Sequence, residues 1–367
     1  MKRCRFFKLG MAFFFSTVIP VLGIAANYTY SPSDEKTDLV RTELLNDGKM
    51  HIFFCGTGSP DIYMQYIRKP ACLAVIADGY FLLFDAGDGS IQTLAHLKLP
   101  YPDLQHIFMT HWHSDHFAGL GMLINARWYS GRIQAVTVYG PYGIQQVISG
   151  IAKAYYLDVL FRAITGAGLL VPKLAYATTK LISIEQLDKP IFTTKTFTVT
   201  PFAVDHEPVF PALGYRLNYK GCSIVISGDT RVAPNLEKNA RNADVLINEA
   251  FSHTLRQKQD EKLAAQWPSP RDNAEAYRIQ EYATAIWYYH SDTWELAKMA
   301  TRAKVKKLVL THLIPVIPTT QAAKADFTAG MSQYYSGPLT VADDGDELII
   351  DAKGHGTCQV TYQPAKE

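Results

Sequence analysis

The chain has 367 residues, 48% of them hydrophobic, a mean hydropathy of −0.04 and a formal net charge of +2. That length and apolar content describe a globular chain able to bury a large core, and they exclude a disordered, fibrous or low-complexity protein. With 36 basic against 34 acidic side chains, no strongly polyanionic or polycationic class is indicated.

Lys2, Arg3, Arg5 and Lys8 form a basic start, Leu9 to Ala26 is uncharged, and Gly23-Ile24-Ala25-Ala26 offers small residues for cleavage. This pattern predicts a secretory signal peptide over residues 1–25 and a periplasmic or secreted protein. The same stretch is about long enough to span a bilayer, so an uncleaved anchor is the alternative. No cysteine follows it, which argues against a bacterial lipid anchor. Cleavage removes four positive charges and no negative one, moving the net charge from +2 to −2 and leaving no stable membrane association. A slightly acidic mature chain argues against a nucleic-acid partner held by overall charge. The run Lys304-Val305-Lys306-Lys307 reads as a solvated helix end.

Residues 26–49 are polar and read as a lead-in, 50–351 as one domain, and 352–367 as a C-terminal tail. Met50 to Cys55 is a strand, closed by Gly56-Thr57-Gly58-Ser59-Pro60. Ala71 to Ala77 and Tyr80 to Phe84 form a hairpin around Asp78-Gly79. Asp85-Ala86-Gly87-Asp88-Gly89-Ser90 is a tight loop before a helix through Leu97. Ile107 to Met109 and Val136 to Tyr139 are strands, and a long helical region follows Gly140-Pro141-Tyr142-Gly143 through about Ala163. Phe197 to Val204, Gly214 to Leu217, Cys222 to Ile226, Val245 to Ile247 and Lys307 to Leu310 are further strands. Asp292-Thr293-Trp294-Glu295 fits a capping box for a helix with Leu296, Ala297, Ala300 and Ala303 on one face. Hairpins followed by strand–helix alternation, twice over, predict two mixed sheets packed face to face with helices outside. Cys55, Cys72, Cys222 and Cys358 match no zinc-ribbon or redox spacing. Their apolar surroundings predict buried free thiols.

Three of the eleven histidines fall within His111-Trp112-His113-Ser114-Asp115-His116, directly after a strand. Imidazole and carboxylate are the common nitrogen and oxygen ligands of transition metals. His206, Asp229 and His312 each stand where another apolar run breaks. His111, His113 and His206 make one three-imidazole site, Asp115, His116 and His312 a second, and Asp229, with two carboxylate oxygens, bridges them. Each ion then keeps a place for a shared hydroxide, which marks a catalytic site. Such a pair lowers the pKa of bridging water and braces an attacked tetrahedral centre. The donors include no thiolate; Zn2+ fits, and Mn2+ or Fe also accept such donors.

These motifs resemble the metallo-β-lactamase superfamily, within it the branch of ribonuclease Z and related arylsulfatases. The resemblance runs from about Met50 to Ile350. It rests on Phe54 to Pro60, Phe84 to Ser90, Thr110 to His116, His206 with Gly214-Tyr215-Arg216, Ser227-Gly228-Asp229-Thr230 and Leu310-Thr311-His312. It implies the four-layer αββα sandwich (an α/β fold) and the same seven ligands, and it gives a carboxylate of the Phe84–Ser90 loop, which holds Asp85 and Asp88, a supporting role behind them. Asn248-Glu249-Ala250-Phe251 and His290-Ser291-Asp292 are altered forms of two further ribonuclease Z loops. Glu249 and His290, beside Asp115, are therefore the catalytic candidates, implied to pass a proton to the leaving oxygen. Departing from that family, no basic glycine-rich arm follows Gly140-Pro141-Tyr142-Gly143.

The expected function is an exported dinuclear metal-dependent hydrolase cleaving a small-molecule ester, either a phosphodiester or an aryl sulfate, by attack of the metal-bridging hydroxide. The first alternative is a ribonuclease Z-type tRNA 3′-processing endonuclease, and the second is a metal-loaded binding protein without turnover. Trp112, Trp287, Tyr288 and Tyr289 are candidates for an apolar leaving-group wall or for core. A homodimer is left open.

Overall fold

The computed structural model describes residues 40–131, 134–166, 168–353 and 357–365. The expected signal peptide and residues 26–39 of the lead-in lie outside them. The strands are β1 (Met50–Gly56), β2 (Cys72–Ala77), β3 (Tyr80–Phe84), β4 (His106–Phe108), β5 (Thr137–Gly140), β6 (Thr178–Leu181), β7 (Phe192–Thr193), β8 (Phe197–His206), β9 (Val209–Tyr219), β10 (Cys222–Ile226), β11 (Val245–Phe251), β12 (Leu308–Ile314), β13 (Leu339–Val341), β14 (Glu347–Ala352) and β15 (Cys358–Gln363).

They form two mixed sheets, ordered β15-β14-β1-β2-β3-β4-β5-β6 and β13-β12-β11-β10-β9-β8-β7. In the first, β1, β2 and β3 are an antiparallel meander, and β3 through β6 run parallel. In the second, β8, β9 and β10 are antiparallel, and β10 through β13 are parallel. The β2–β3 turn places Asp78 at φ 45° and Gly79 at φ 85°, the left-handed pair that a two-residue hairpin needs.

Successive side chains alternate across each sheet. Ile52 and Phe54 of β1 enter the core between the sheets with Val75, Leu82, Tyr215, Leu217, Ile224 and Ile247. Phe53 and Cys55 face the other way, onto Leu94, Leu120 and Leu123 of the outer helices. On the far face of the second sheet, Val225, Leu246 and Leu308 pack on Leu236, Leu296 and Met299. Each fully buried side chain of this size is worth roughly 1.5–3 kcal/mol, so the three cores hold the αββα layers together. Among the described residues no helix is long and apolar enough to cross a membrane.

Three expectations change. The long helix after Gly143 is two helices, Ile144–Ala154 and Tyr156–Thr165, broken at Tyr155. The expected tail supplies β15, which pairs antiparallel with β14. The cysteines are not free thiols: Cys55 bonds Cys72 and Cys222 bonds Cys358, with Cα–Cα distances of 4.9 and 5.6 Å. The β1–β2 register shifts between Phe54 and Gly56, where Gly56 opposes Cys72. Cys55 is the extra residue of that bulge and lies beside Cys72. The second bridge joins β10 of one sheet to β15 of the other across 136 positions.

Candidate metal centre

All but one of the ligand-type residues sit where strands stop. His111 to His116 follow β4, with Ser114–Phe117 forming one helical turn. His206 ends β8, Asp229 follows β10, and His312 lies within β12. Two backbone features aim them. Gly228 has φ 62°, and a Cβ there would lie 2.5 Å from the Leu213 carbonyl oxygen, so only glycine lets this turn present Asp229. His312 has φ 44° and falls in a register shift, where Glu249 pairs with Thr311 and Ala250 with Leu313. Such a bulge re-aims a side chain at the cost of local strain.

All seven side chains converge. His111 Nε2 lies 2.9 Å from His113 Nδ1, and His206 Nε2 lies 3.3 Å from the same atom. On the other side His312 Nε2 is 3.1 Å and His116 Nε2 3.6 Å from Asp115 Oδ2. Asp229 Oδ2 stands between the groups, 3.3 Å from His116, 3.4 Å from His312, 3.8 Å from His206 and 3.9 Å from His111. The structure thus brings together His111, His113, His206 and Asp229 as one possible metal cluster, and Asp115, His116 and His312 as a second.

The surroundings orient the rings. Asp85, itself at φ 57°, accepts the Thr110 N–H at Oδ1 (2.8 Å) and the Thr110 hydroxyl at Oδ2 (2.8 Å). Its Oδ2 also lies 2.8 Å from His116 Nδ1, so that nitrogen donates and Nε2 turns inward. The Thr110 hydroxyl, having donated to Asp85, accepts from His111 Nδ1 at 3.0 Å. His206 Nδ1 donates to the Tyr289 carbonyl at 3.1 Å. These partners leave the Nε2 lone pairs of His111, His116 and His206 pointing into the centre, an arrangement that a cation relieves.

The donor set therefore fits divalent ions. Among the described residues, His116 Nε2, Asp229 Oδ1 and His312 Nδ1 are buried without a hydrogen-bond partner. Asp229 supplies the negative charge: burial pushes its carboxyl up, but the neighbouring His116 and His312 outweigh this and hold it well below the ordinary carboxylate range. His111 is pushed well below the usual imidazole value, by burial first and then by His116. A neutral imidazole is the form that ligates.

Glu249 and His290 adjoin the centre. Glu249 Oε1 accepts the N–H groups of Thr230 (3.1 Å) and Ser291 (2.9 Å) and lies 3.0 Å from His290 Nδ1. Asp229, His290 and His312 place ligand-type atoms within 4.8 Å of one another. Glu249 does not line the cleft above the centre, whereas His290 does, so Glu249 positions the ring. Of the four expected wall residues, only Tyr289 lines that cleft. Trp112 donates to the Tyr142 carbonyl and packs by Gly140 and Gly143. Trp287 donates to Asp292, and Tyr288 stacks obliquely on Trp287. The composition reading missed Tyr282 and Ile286, which share the cleft with Tyr289. The i, i+4, i+7 spacing of the three was the available signal.

Comparison with known proteins agrees with this geometry. Residues 80–313 match the family described as "Beta-lactamase superfamily domain". The ribonuclease Z of Mycolicibacterium gilvum (strain PYR-GCK) is 28% identical over 299 residues, covering 80% of this chain and 94% of that protein. That of Mycobacterium marinum (strain ATCC BAA-535 / M) is 29% identical over 307 residues, covering 83% and 100%. Among solved structures, the metallo-β-lactamase fold protein YhfI from Bacillus subtilis superposes with a TM-score of 0.56 at 18% identity, covering 82% of this chain and 99% of that one. Human tRNase Z, short form (ELAC1), gives 0.54 at 23% identity with the same coverage. The expected small-molecule ester and the argument against a nucleic-acid partner are overturned by these ribonuclease relatives. Net charge summed over a chain does not report what one local cleft recognises. Family, fold and ligand chemistry agree: the chain belongs to the metallo-β-lactamase superfamily, in its ribonuclease Z branch, and is a metal-dependent hydrolase acting on ester bonds.

Proposed function

We propose that this protein hydrolyses phosphodiester bonds in RNA, as its relatives named ribonuclease Z do by name. The observation that carries the reading is His290, held by Glu249 beside Asp229 and His312 and lining the same cleft. It gives a phosphoryl-transfer site a proton donor next to its ligand cluster. His111, His113 and His206 would hold one ion, Asp115, His116 and His312 the other, and Asp229 both. Zn2+ suits this donor set. Bound divalent ions supply Lewis-acid stabilisation of the phosphate and activation of water.

The chain's own residues do the rest. The seven ligands would set the ions at the floor of the cleft, beside the wall that His290 lines. As water bonds to phosphorus and the bond to the leaving ribose oxygen breaks, His290 gives its Nε2 proton to that oxygen, and the proton that the water loses passes to solvent, from which the ring is recharged. Glu249 keeps Nδ1 as the donor to itself and so turns Nε2 toward the cleft.

We also propose that the protein is exported. The basic start and uncharged stretch of residues 1–26 support this, as do two disulfides, which persist in oxidising compartments. The substrate is then RNA outside the cytoplasm.

The test is hydrolysis of end-labelled RNA carrying an unpaired stretch, beside bis-p-nitrophenyl phosphate and p-nitrophenyl sulfate. We expect RNA and phosphodiester cleavage that a chelator abolishes and Zn2+ restores. Metal-loaded protein that turns over the sulfate and leaves RNA intact would sink the proposal.

A further inference from the structure

Helix Ala274–Trp287 forms one wall of the cleft above the metal centre. Tyr282 and Ile286 on it, and Tyr289 just past its end, line that cleft with His113, Asp115 and His290. The spacing i, i+4, i+7 turns a single helix face toward the cleft. The two tyrosines are used differently. Tyr289 is locked in place, its ring edge-on to His206 at 5.0 Å and tilted against His290 at 4.9 Å. Tyr282 is 69% exposed, and its hydroxyl makes no hydrogen bond among the described residues. Held in water at the mouth of the cleft, this ring adds little to the folded core.

The opposite wall carries Ser59, Pro60 and Asp61, followed in the chain by Ile62 and Tyr63, which are 78% and 90% exposed. Among the described residues no lysine or arginine lines the cleft. A segment of RNA next to the reacting phosphate thus meets Tyr282, Ile286 and Tyr289 on one side and the polar Ser59 and Asp61 as well, with no compensating positive charge among the described lining residues. Aromatic faces hold unpaired bases by stacking, which every base can do and a base inside a duplex cannot.

We infer that Tyr282 is a specificity-determining residue that stacks on an unpaired nucleobase flanking the scissile phosphate. The inference rests on the RNA reading above. It makes the unstacked base, not the phosphate charge, the feature that this wall selects.

The test compares an RNA containing an unpaired cleavage site with the same RNA made abasic at the nucleotide on either side of that site. For the zinc-loaded wild type, one of the two abasic substitutions should raise KM about tenfold, within the range of one lost base–aromatic stack. Tyr282→Ala should raise KM about tenfold on the intact RNA and be nearly indifferent to the abasic change, with the effect in KM rather than kcat. Tyr282→Trp should restore both the affinity and the abasic penalty. An abasic penalty of equal size in wild type and Tyr282→Ala overturns the inference, as does an unchanged KM in Tyr282→Ala. If the wild type cleaves no RNA, fluorescence anisotropy of the same oligonucleotides separates the two claims. Binding that is weakened by both Tyr282→Ala and the abasic change keeps the stacking residue and loses the ribonuclease reading; binding indifferent to both loses the inference as well.

Discussion

His290 Nδ1 lies 3.0 Å from Glu249 Oε1, an oxygen that already accepts the backbone N–H groups of Thr230 and Ser291. Three donors on one oxygen fix the carboxylate, and the carboxylate in turn fixes the ring. This arrangement predicts a dependence on the leaving group. Removing a positioned general acid costs typically 10²–10⁴-fold. His290→Ala should lose about that much kcat on RNA, whose leaving ribose oxygen needs a proton. It should lose far less on bis-p-nitrophenyl phosphate, whose nitrophenolate leaves without one. Glu249→Gln, which keeps an acceptor oxygen but not the charge, should fall between. Equal losses on both substrates, at unchanged metal content, would show that His290 is not the proton donor.

Asp85 touches Thr110 and His116 and through Thr110 reaches His111. A carboxylate behind a ligating imidazole sets its tautomer, and losing it typically costs 10–100-fold in metal affinity. Asp85→Asn should therefore bind Zn2+ about 10–100-fold more weakly in a chelator competition, with the fold kept. Asp229→Ala removes the oxygen that four imidazoles share. It should abolish binding of the second equivalent altogether. Unaltered affinity in Asp85→Asn would show that Thr110 alone sets the ring orientations.

Most of the ligands were legible in the chain because they stand where an apolar run ends: His206 at the end of β8, Asp229 after β10 and the cluster after β4, whereas His312 lies within β12. Strand ends are where side chains must leave the sheet, so a titratable residue there needs an explanation that a mid-helix one does not. His290 was legible only by family resemblance, since it follows three aromatic residues and reads locally as packing. Helix His253–Gln266 escaped notice for a physical reason: Arg256 is its only fully buried side chain, so it has no apolar stripe to read. The disulfides escaped because each depends on a long-range geometry. Cys55 meets Cys72 through a bulge, and Cys222 meets Cys358 only once two sheets have stacked.

The sheet-to-sheet bridge should matter for stability. Cys222 and Cys358 close a loop with a separation of 136, against 17 for Cys55 and Cys72. A cross-link restricts the unfolded chain more when the loop is longer, and removal typically costs about 2–4 kcal/mol. The pair Cys222→Ser/Cys358→Ser should lower the urea midpoint more than Cys55→Ser/Cys72→Ser. Reduction of the wild type should reproduce the sum of both losses. If thiol titration of the unfolded, unreduced wild type finds Cys55, Cys72, Cys222 and Cys358 all free, both the bridges and the support they lend to export are lost.

His106 makes acid stability a further test. Its ring packs at 5.8 Å from Tyr139 and 4.7 Å from Phe192, and its buried Nδ1 has no hydrogen-bond partner among the described residues. Burial first, then the charges of Lys180 and Arg127, push it from its ordinary value of 6.5 down to about 4. The unfolded chain therefore takes up this proton at a higher pH than the folded one. The stability that neutral His106 contributes is complete above pH 6.5 and is lost as the pH falls through 4. That gap corresponds to at most about 3 kcal/mol. Phenylalanine keeps the aromatic contacts and removes the titration. Between pH 7 and pH 4.5 the wild type should thus lose more unfolding free energy than His106→Phe, by up to that amount. Parallel pH dependences of the two proteins would mean that the folded state protonates this ring as readily as the unfolded chain does.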